Sequence, residues 1–305
     1  MLEIFRLIRI PNLLMIALTQ VLIHNCLIIP AFRAEYFVSG NFPNHLSDLN
    51  LILLIISTLL ISAAGYIIND FFDIHIDEVN KPGRNTVGKS ISARWAKNMY
   101  FLLSLLGVVL GFYVALQIRK PVMGLIPLFA AGSLWMYSSF YKRRLFSGNI
   151  IVACLCALSL LIVGLYEPEF YPNISYLLWF VIPAFFFTLI RELIKDIEDI
   201  EGDELSQCKT APIVLGISVT KRIILGLLIL VSAYLVYVLY TNFYKNQVIS
   251  FWYMVGLLLI PIFGLAYLVV TARQKKDFHY ASVFSKILMT GGILTIYLFW
   301  FYFLR

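Results

Sequence analysis

Long apolar runs, broken at intervals by short polar stretches, fill the chain from end to end. A helix needs about 20 mainly apolar residues to cross the hydrocarbon core of a bilayer. Nine segments meet that requirement: 11–31, 48–70, 96–118, 121–141, 148–166, 174–194, 221–241, 249–271 and 282–303. Short connections join the third to the fourth and the fourth to the fifth, which predicts antiparallel neighbours. The pattern predicts an all-α integral membrane protein, a bundle of about nine transmembrane helices forming one polytopic domain over residues 1–305.

Composition agrees. Of 305 residues, 61% are hydrophobic and 13% charged, with a mean hydropathy of +0.86; soluble domains carry about 25% charged residues. The net charge of +7 does not indicate nucleic acid, because the charges sit between apolar runs, where they set orientation and favour anionic head groups of the lipid bilayer. All but five of the 24 Lys and Arg lie in alternate connections; Arg33, Arg119, Lys120, Lys245 and Arg305 are the exceptions. The positive-inside rule then predicts a cytoplasmic N-terminus, an external C-terminus and an odd number of spans, in the inner (plasma) membrane of a cell. Arg6 and Arg9 precede a long apolar segment without a small-residue cleavage site, so the first segment reads as a retained helix. The four cysteines show no metal-ligand spacing or disulfide framework.

Two connections on the predicted cytoplasmic side, 71–95 and 195–220, are long and rich in carboxylates. Asn69 and Asp70 lead into the first, which carries Asp73 and Asp77; the second carries Asp196, Asp199 and Asp203. Both triads have the spacing i, i+3, i+7, which on a continuous helix places all three carboxylates on one face. Like charges stacked this way repel unless a cation lies among them. Mg²⁺ suits the role, because it takes oxygen ligands and is commonly held by one or two carboxylates together with substrate phosphate oxygens. Carboxylates on two helices would then clamp a diphosphate through bridging metal. His75, alone among aspartates, has no softer partner. Arg84, Tyr137, Lys142 and Lys209 lie near these motifs and supply candidate phosphate contacts; the same charges also serve topology, as do Arg143 and Arg144.

At these residues the chain resembles the UbiA superfamily of intramembrane prenyltransferases. The family's N-D-x-x-D-x-x-x-D motif is matched at Asn69, Asp70, Asp73 and Asp77, and its N-x-P-x-R element at Asn80, Pro82 and Arg84. The second Asp-rich motif is matched at Asp196, Asp199 and Asp203, and the middle loop at Tyr137, Ser138, Lys142, Arg143, Gly148 and Asn149. Arg9-Ile10-Pro11-Asn12 resembles the start of the family's first helix, which brings Arg9 and Asn12 into the substrate-binding set. Residues 191–203 are similar to the digeranylgeranylglyceryl-phosphate synthase type. Ala211 stands where Leu is more usual, and Asn85 where Pro is.

The resemblance implies Mg²⁺-dependent transfer of a prenyl group from an allylic isoprenyl diphosphate to a lipophilic acceptor, foremost a prenylglyceryl phosphate hydroxyl. Asp70, Asp73, Asp196 and Asp199 would be catalytic through the metal, Asn69 would orient a metal or phosphate oxygen, and Asp77 and Asp203 would bind metal or meet the acceptor. Aromatic C-prenylation in quinone biosynthesis is the alternative within the family. A membrane cation transporter is the alternative outside it, disfavoured because the acids lie at one membrane face with Lys and Arg beside them rather than at the bilayer midplane.

Overall fold

A computed structural model describes residues 2–40, 44–80, 86–169, 174–242, 252 and 255–301. Among them, eight helices are long and apolar enough to span a bilayer: α1 (Ile10–Arg33), α2 (Asp48–Phe72), α3 (Ala93–Gln117), α4 (Pro121–Ser139), α5 (Ser147–Tyr166), α6 (Ile174–Glu198), α7 (Ile217–Asn242) and, last in the chain, α9 (Lys275–Phe299). The eighth predicted span, 249–271, begins outside the described residues; its described part is the shorter apolar helix α8 (Val255–Thr271). No strand occurs among the described residues. The all-α membrane bundle and its approximate helix number match the sequence expectation.

Two observed boundaries move chemistry. The predicted spans 48–70 and 174–194 run on to Phe72 and Glu198. Asp196 therefore rides on the last turn of a membrane helix instead of in a loop, as Asn69 and Asp70 ride on the last turn of α2.

The bundle closes around two buried clusters. One gathers Ile23, Phe32, Leu54, Ile162, Tyr166 and Leu177; the other joins Ile190, Ile194, Leu228, Leu265 and Phe278 from α6 to α9. Close approach of α2 and α3 is sealed by Ser57, whose hydroxyl donates to the Gly107 carbonyl oxygen at 2.6 Å, the small-residue contact that membrane helices use where lipid gives no hydrophobic drive to pair. Lipid-facing positions carry exposed apolar side chains such as Phe129, Ile229 and Phe263.

At the end of the bundle away from the acidic segments, Glu167 is fully buried. It accepts the Leu46 N–H at 2.7 Å, faces His24 Nε2 at 3.3 Å, and its carbonyl oxygen takes the Lys120 ammonium at 2.8 Å. Through its carboxylate and its carbonyl oxygen together, Glu167 thus ties its own connection to those carrying Leu46 and Lys120.

Pro183 lies inside α6. It has no N–H to return to the carbonyl four residues earlier, and it borders the central cavity.

Candidate active site

Both acidic motifs break at their middle aspartate. Asp73 caps α2 with φ −93° and ψ 6°, and a short helix, Ile74–Asn80, follows. Asp199 ends α6 with φ −97° and ψ 9°, followed by Ile200–Leu205. These dihedrals lie in the sparsely occupied bridge region, which active-site residues often adopt. The expectation of three carboxylates on one continuous helix face is corrected here: each triad has its first acid on a membrane helix, its second at the break and its third on the short helix.

The two short helices lie against each other. Asn80, 8% exposed, donates to the Asp199 carbonyl oxygen and accepts from the Gly202 N–H, both at 3.0 Å. A Cβ on Gly202 would come within 2.5 Å of that carboxamide, so the contact requires glycine. α9 braces the second motif from outside through His279–Glu198 at 2.8 Å and Lys275–Glu201 at 3.5 Å.

Under this clasp lies a cavity of about 630 Å³, within the size range of pockets for single organic ligands. Asp73, Asp77, Asp196, Asp199 and Asp203 border it at one end, with Asn69, Asn80 and Asn149. The remaining wall is largely apolar, with Ile61, Leu134, Leu158, Phe180, Leu239 and Ile293 among its residues. A charged mouth on a long apolar sleeve suits an amphiphile with an anionic head.

The polar end is internally bonded. Asn69 donates to Asp73 Oδ2 at 2.7 Å, Lys142 is ion-paired with Asp73 and lies 3.4 Å from Asn69 Oδ1, and Asn149 donates to Asp196 Oδ2 at 2.8 Å. Burial disfavours the Lys142 ammonium, but the Asp73 carboxylate outweighs it and holds the pKa above its ordinary value. Burial pushes the Asp203 carboxyl up to about 6, against the pull of Lys142 and with help from Asp199 and Asp73.

Of the sequence candidates, Arg9, Asn12, Asn69, Asp73, Asp77, Tyr137, Lys142, Asp196, Asp199 and Asp203 meet at this cavity. Asp70 does not border it: its carboxylate is bonded to Arg9 at 2.9 Å. Arg9 also lies 4.8 Å over the Tyr66 ring, and Asn12 donates to the Tyr66 hydroxyl at 3.3 Å. Lys209 is also off the wall; its backbone N–H donates to the Arg143 carbonyl oxygen at 2.8 Å, joining the second motif to the α4–α5 connection. His75 is exposed and off the wall. Arg84 falls outside the described residues.

Arg191, Glu192, Lys195 and Lys286 are not among the candidates expected from sequence, yet all four border the cavity. The i, i+4 spacing of Arg191 and Lys195 on α6 was the available signal; nothing in the sequence places Lys286 beside them.

The donor set fits Mg²⁺. Carboxylate and carboxamide groups border the polar end, although among the described residues no three His, Cys, Asp or Glu stand together as a group that could hold a metal ion by itself. Mg²⁺ requires no such group, since it retains waters and takes phosphate oxygens.

The profile of the UbiA prenyltransferase family matches residues 27–302. The chain is 33% identical over 271 residues to the digeranylgeranylglyceryl phosphate synthase of Saccharolobus solfataricus, covering 86% of this chain and 88% of that one. It is 34% identical over 252 residues to the synthase of the same name from Sulfurisphaera tokodaii, covering 81% and 84%. Among solved structures, a digeranylgeranylglyceryl phosphate synthase superposes with a TM-score of 0.66 at 24% identity over 97% of this chain and 96% of that one. A UbiA homologue from Archaeoglobus fulgidus, bound to DMAPP and Mg²⁺, gives 0.58 at 17% identity over 97% and 99%. An all-α membrane bundle with paired acidic segments over a lipid-sized cavity, matched along nearly its whole length, belongs to the UbiA prenyltransferase family.

Proposed function

We propose that this prenyltransferase moves a geranylgeranyl group from its diphosphate to a hydroxyl of geranylgeranylglyceryl phosphate, forming an ether lipid. The observation that carries this reading is the clasp of two aspartate segments over the polar mouth of an apolar cavity. The relatives named digeranylgeranylglyceryl phosphate synthase support the choice of acceptor.

Asp73, Asp77, Asp196, Asp199 and Asp203, with Asn69, would hold Mg²⁺ at the mouth. Asp70 joins them only by exchanging its bond to Arg9. Bound Mg²⁺ would neutralise the diphosphate and make it a better leaving group. Lys142, and Arg84 and Lys209 in the expectation from sequence, add positive charge toward the same group. Tyr137 borders the cavity beside Lys142 and is placed to meet the diphosphate. The apolar sleeve takes the isoprenoid chain and keeps water from the allylic carbon as its bond to the diphosphate oxygen breaks. The acceptor oxygen bonds to that carbon, and diphosphate and the hydroxyl proton are released. In this reading the mouth faces the cytoplasm of a plasma-membrane enzyme, as the charge of its connections favours.

Mass spectrometry of purified protein given Mg²⁺, geranylgeranyl diphosphate and geranylgeranylglyceryl phosphate tests this. A Mg²⁺-dependent ether product is expected. No ether product, with prenylation of an added hydroxybenzoate instead, would move the enzyme to the aromatic branch.

A further inference from the structure

A second group of cations borders the cavity apart from Lys142. α6 contributes Arg191 and Lys195, α9 contributes Lys286, and Arg9 stands at the head of α1. The four are within electrostatic reach, since Lys286 feels the charges of Arg191, Lys195 and Arg9. Arg9 is paired with Asp70, and Arg191 with Glu192 at 2.5 Å. Glu192, the carboxylate within reach of Lys286, is therefore already committed. Ionisable groups gathered near membrane depth mark a binding function.

A second observation points to a ligand. Arg191 Nε is sealed from solvent and has no hydrogen-bond partner. A buried donor left unpaired is expensive unless something else supplies the acceptor. Lys286 is exposed yet borders the cavity, so the cavity is open beside it and a lipid-borne head group has a way in. A phosphate monoester offers several acceptor oxygens to a guanidinium and two ammonium groups.

We propose that Arg191 and Lys286, with Arg9 and Lys195 beside them, form a second anion subsite that binds the phosphate of the prenyl acceptor. The subsite rests on the acceptor reading above. It separates the two anions of the reaction, with the diphosphate at the aspartates and the monoester at the α6–α9 cations. Asp196, at the diphosphate end, is hydrogen-bonded to Asn149. An acceptor lacking phosphate would forgo these contacts, so the same residues give specificity.

The test is steady-state kinetics of Lys286→Gln, Arg191→Gln and Lys286→Arg, varying each substrate at saturating levels of the other. The glutamine variants are expected to raise the acceptor KM about tenfold, equivalent to about 1.4 kcal/mol, with the donor KM unchanged and Lys286→Arg close to wild type. A parallel rise in the donor KM would assign the cations to the diphosphate and overturn the proposal. An unchanged acceptor KM would leave them as topology charges only, and equally overturn it.

A binding readout keeps the subsite distinguishable from the acceptor reading. Geranylgeranylglyceryl phosphate should raise the Tm of detergent-solubilised wild type and lose that effect in Lys286→Gln, while geranylgeranylglycerol should not discriminate. If the wild type makes no ether product but still shows this discrimination, the acceptor reading falls and a phosphate subsite stands. No stabilisation of the wild type overturns the subsite, and an equal effect from phosphatidic acid reassigns it to a membrane lipid head group.

Discussion

Asn80 and Gly202 lock the two acidic segments together: the Asn80 carboxamide accepts the Gly202 N–H and donates to the neighbouring Asp199 carbonyl oxygen, each at 3.0 Å. The contact spans 122 residues of chain and sets the spacing between the carboxylates proposed to share metal and diphosphate. Asn80→Ala leaves a buried N–H without an acceptor, a loss of about 1–3 kcal/mol. Lower thermal stability in detergent and a higher Mg²⁺ requirement for turnover are expected together. Gly202→Ala should behave alike, because its methyl group would meet the carboxamide at 2.5 Å. Wild-type values in both variants would show that the clasp does not set the site.

Asp73 and Asp199 occupy matching breaks, so Asp73→Asn and Asp199→Asn should each lower kcat by about a hundredfold or more, the scale seen when one charge-stabilising group is removed. Both proteins should still insert and elute as the wild type does in size-exclusion chromatography. Retained activity in both would refute the site.

Asp70 poses a different case, being bonded to Arg9 and off the cavity wall. If the two act as a unit, Asp70→Asn and Arg9→Gln should give similar losses of activity, and the double variant should lose no more than either. Additive losses would instead mean that Asp70 acts independently, as a metal ligand.

The repeated aspartate spacing was readable in the sequence because charge at regular offsets beside an apolar run has few structural uses. The helix bundle was readable because lipid demands long apolar segments. The breaks at Asp73 and Asp199 were not, since neither motif has a proline or glycine at that point. Asn80 read only as part of a local motif; its partners lie on another segment, and such contacts leave no periodic trace. Arg191 and Lys286 were counted among topology charges for the same reason. Their convergence depends on how α6 packs against α9.

Acidity should act through Asp203, whose carboxyl is pushed up to about 6 by burial. Where Asp203 helps to hold Mg²⁺, as proposed above, proton and metal compete for its carboxylate. The Mg²⁺ concentration for half-maximal activity is expected to be flat above this pH and to climb toward tenfold per unit as pH falls below about 6. In the metal-free protein the sign reverses for stability. A raised carboxyl pKa means that the folded state holds the proton more tightly. That contribution is present below the ordinary carboxyl value of about 3.9 and is lost as pH rises through about 6. Asp203→Asn should flatten both profiles; a Mg²⁺ requirement that still steepens in the variant would place the titration elsewhere.

Lys142 is ion-paired with Asp73, so it offsets the negative charge of the acidic cleft and would oppose metal there. Lys142→Met removes that internal cation and leaves Asp73 buried without its charge partner, which destabilises the metal-free protein. Mg²⁺ alone should then raise the Tm of the variant more than that of the wild type, because binding stabilises in proportion to its affinity. Turnover should nevertheless fall about tenfold or more, since the diphosphate loses a nearby positive charge. Gly148→Ala offers a gentler form of the same test. A Cβ there would stand 2.9 Å from Lys142 Cα and 3.0 Å from the Tyr141 carbonyl oxygen, both backbone atoms, so the segment carrying Lys142 must shift. If Lys142 serves the diphosphate, the donor KM rises in both variants and the acceptor KM does not; a rise in the acceptor KM alone would assign it to the other substrate.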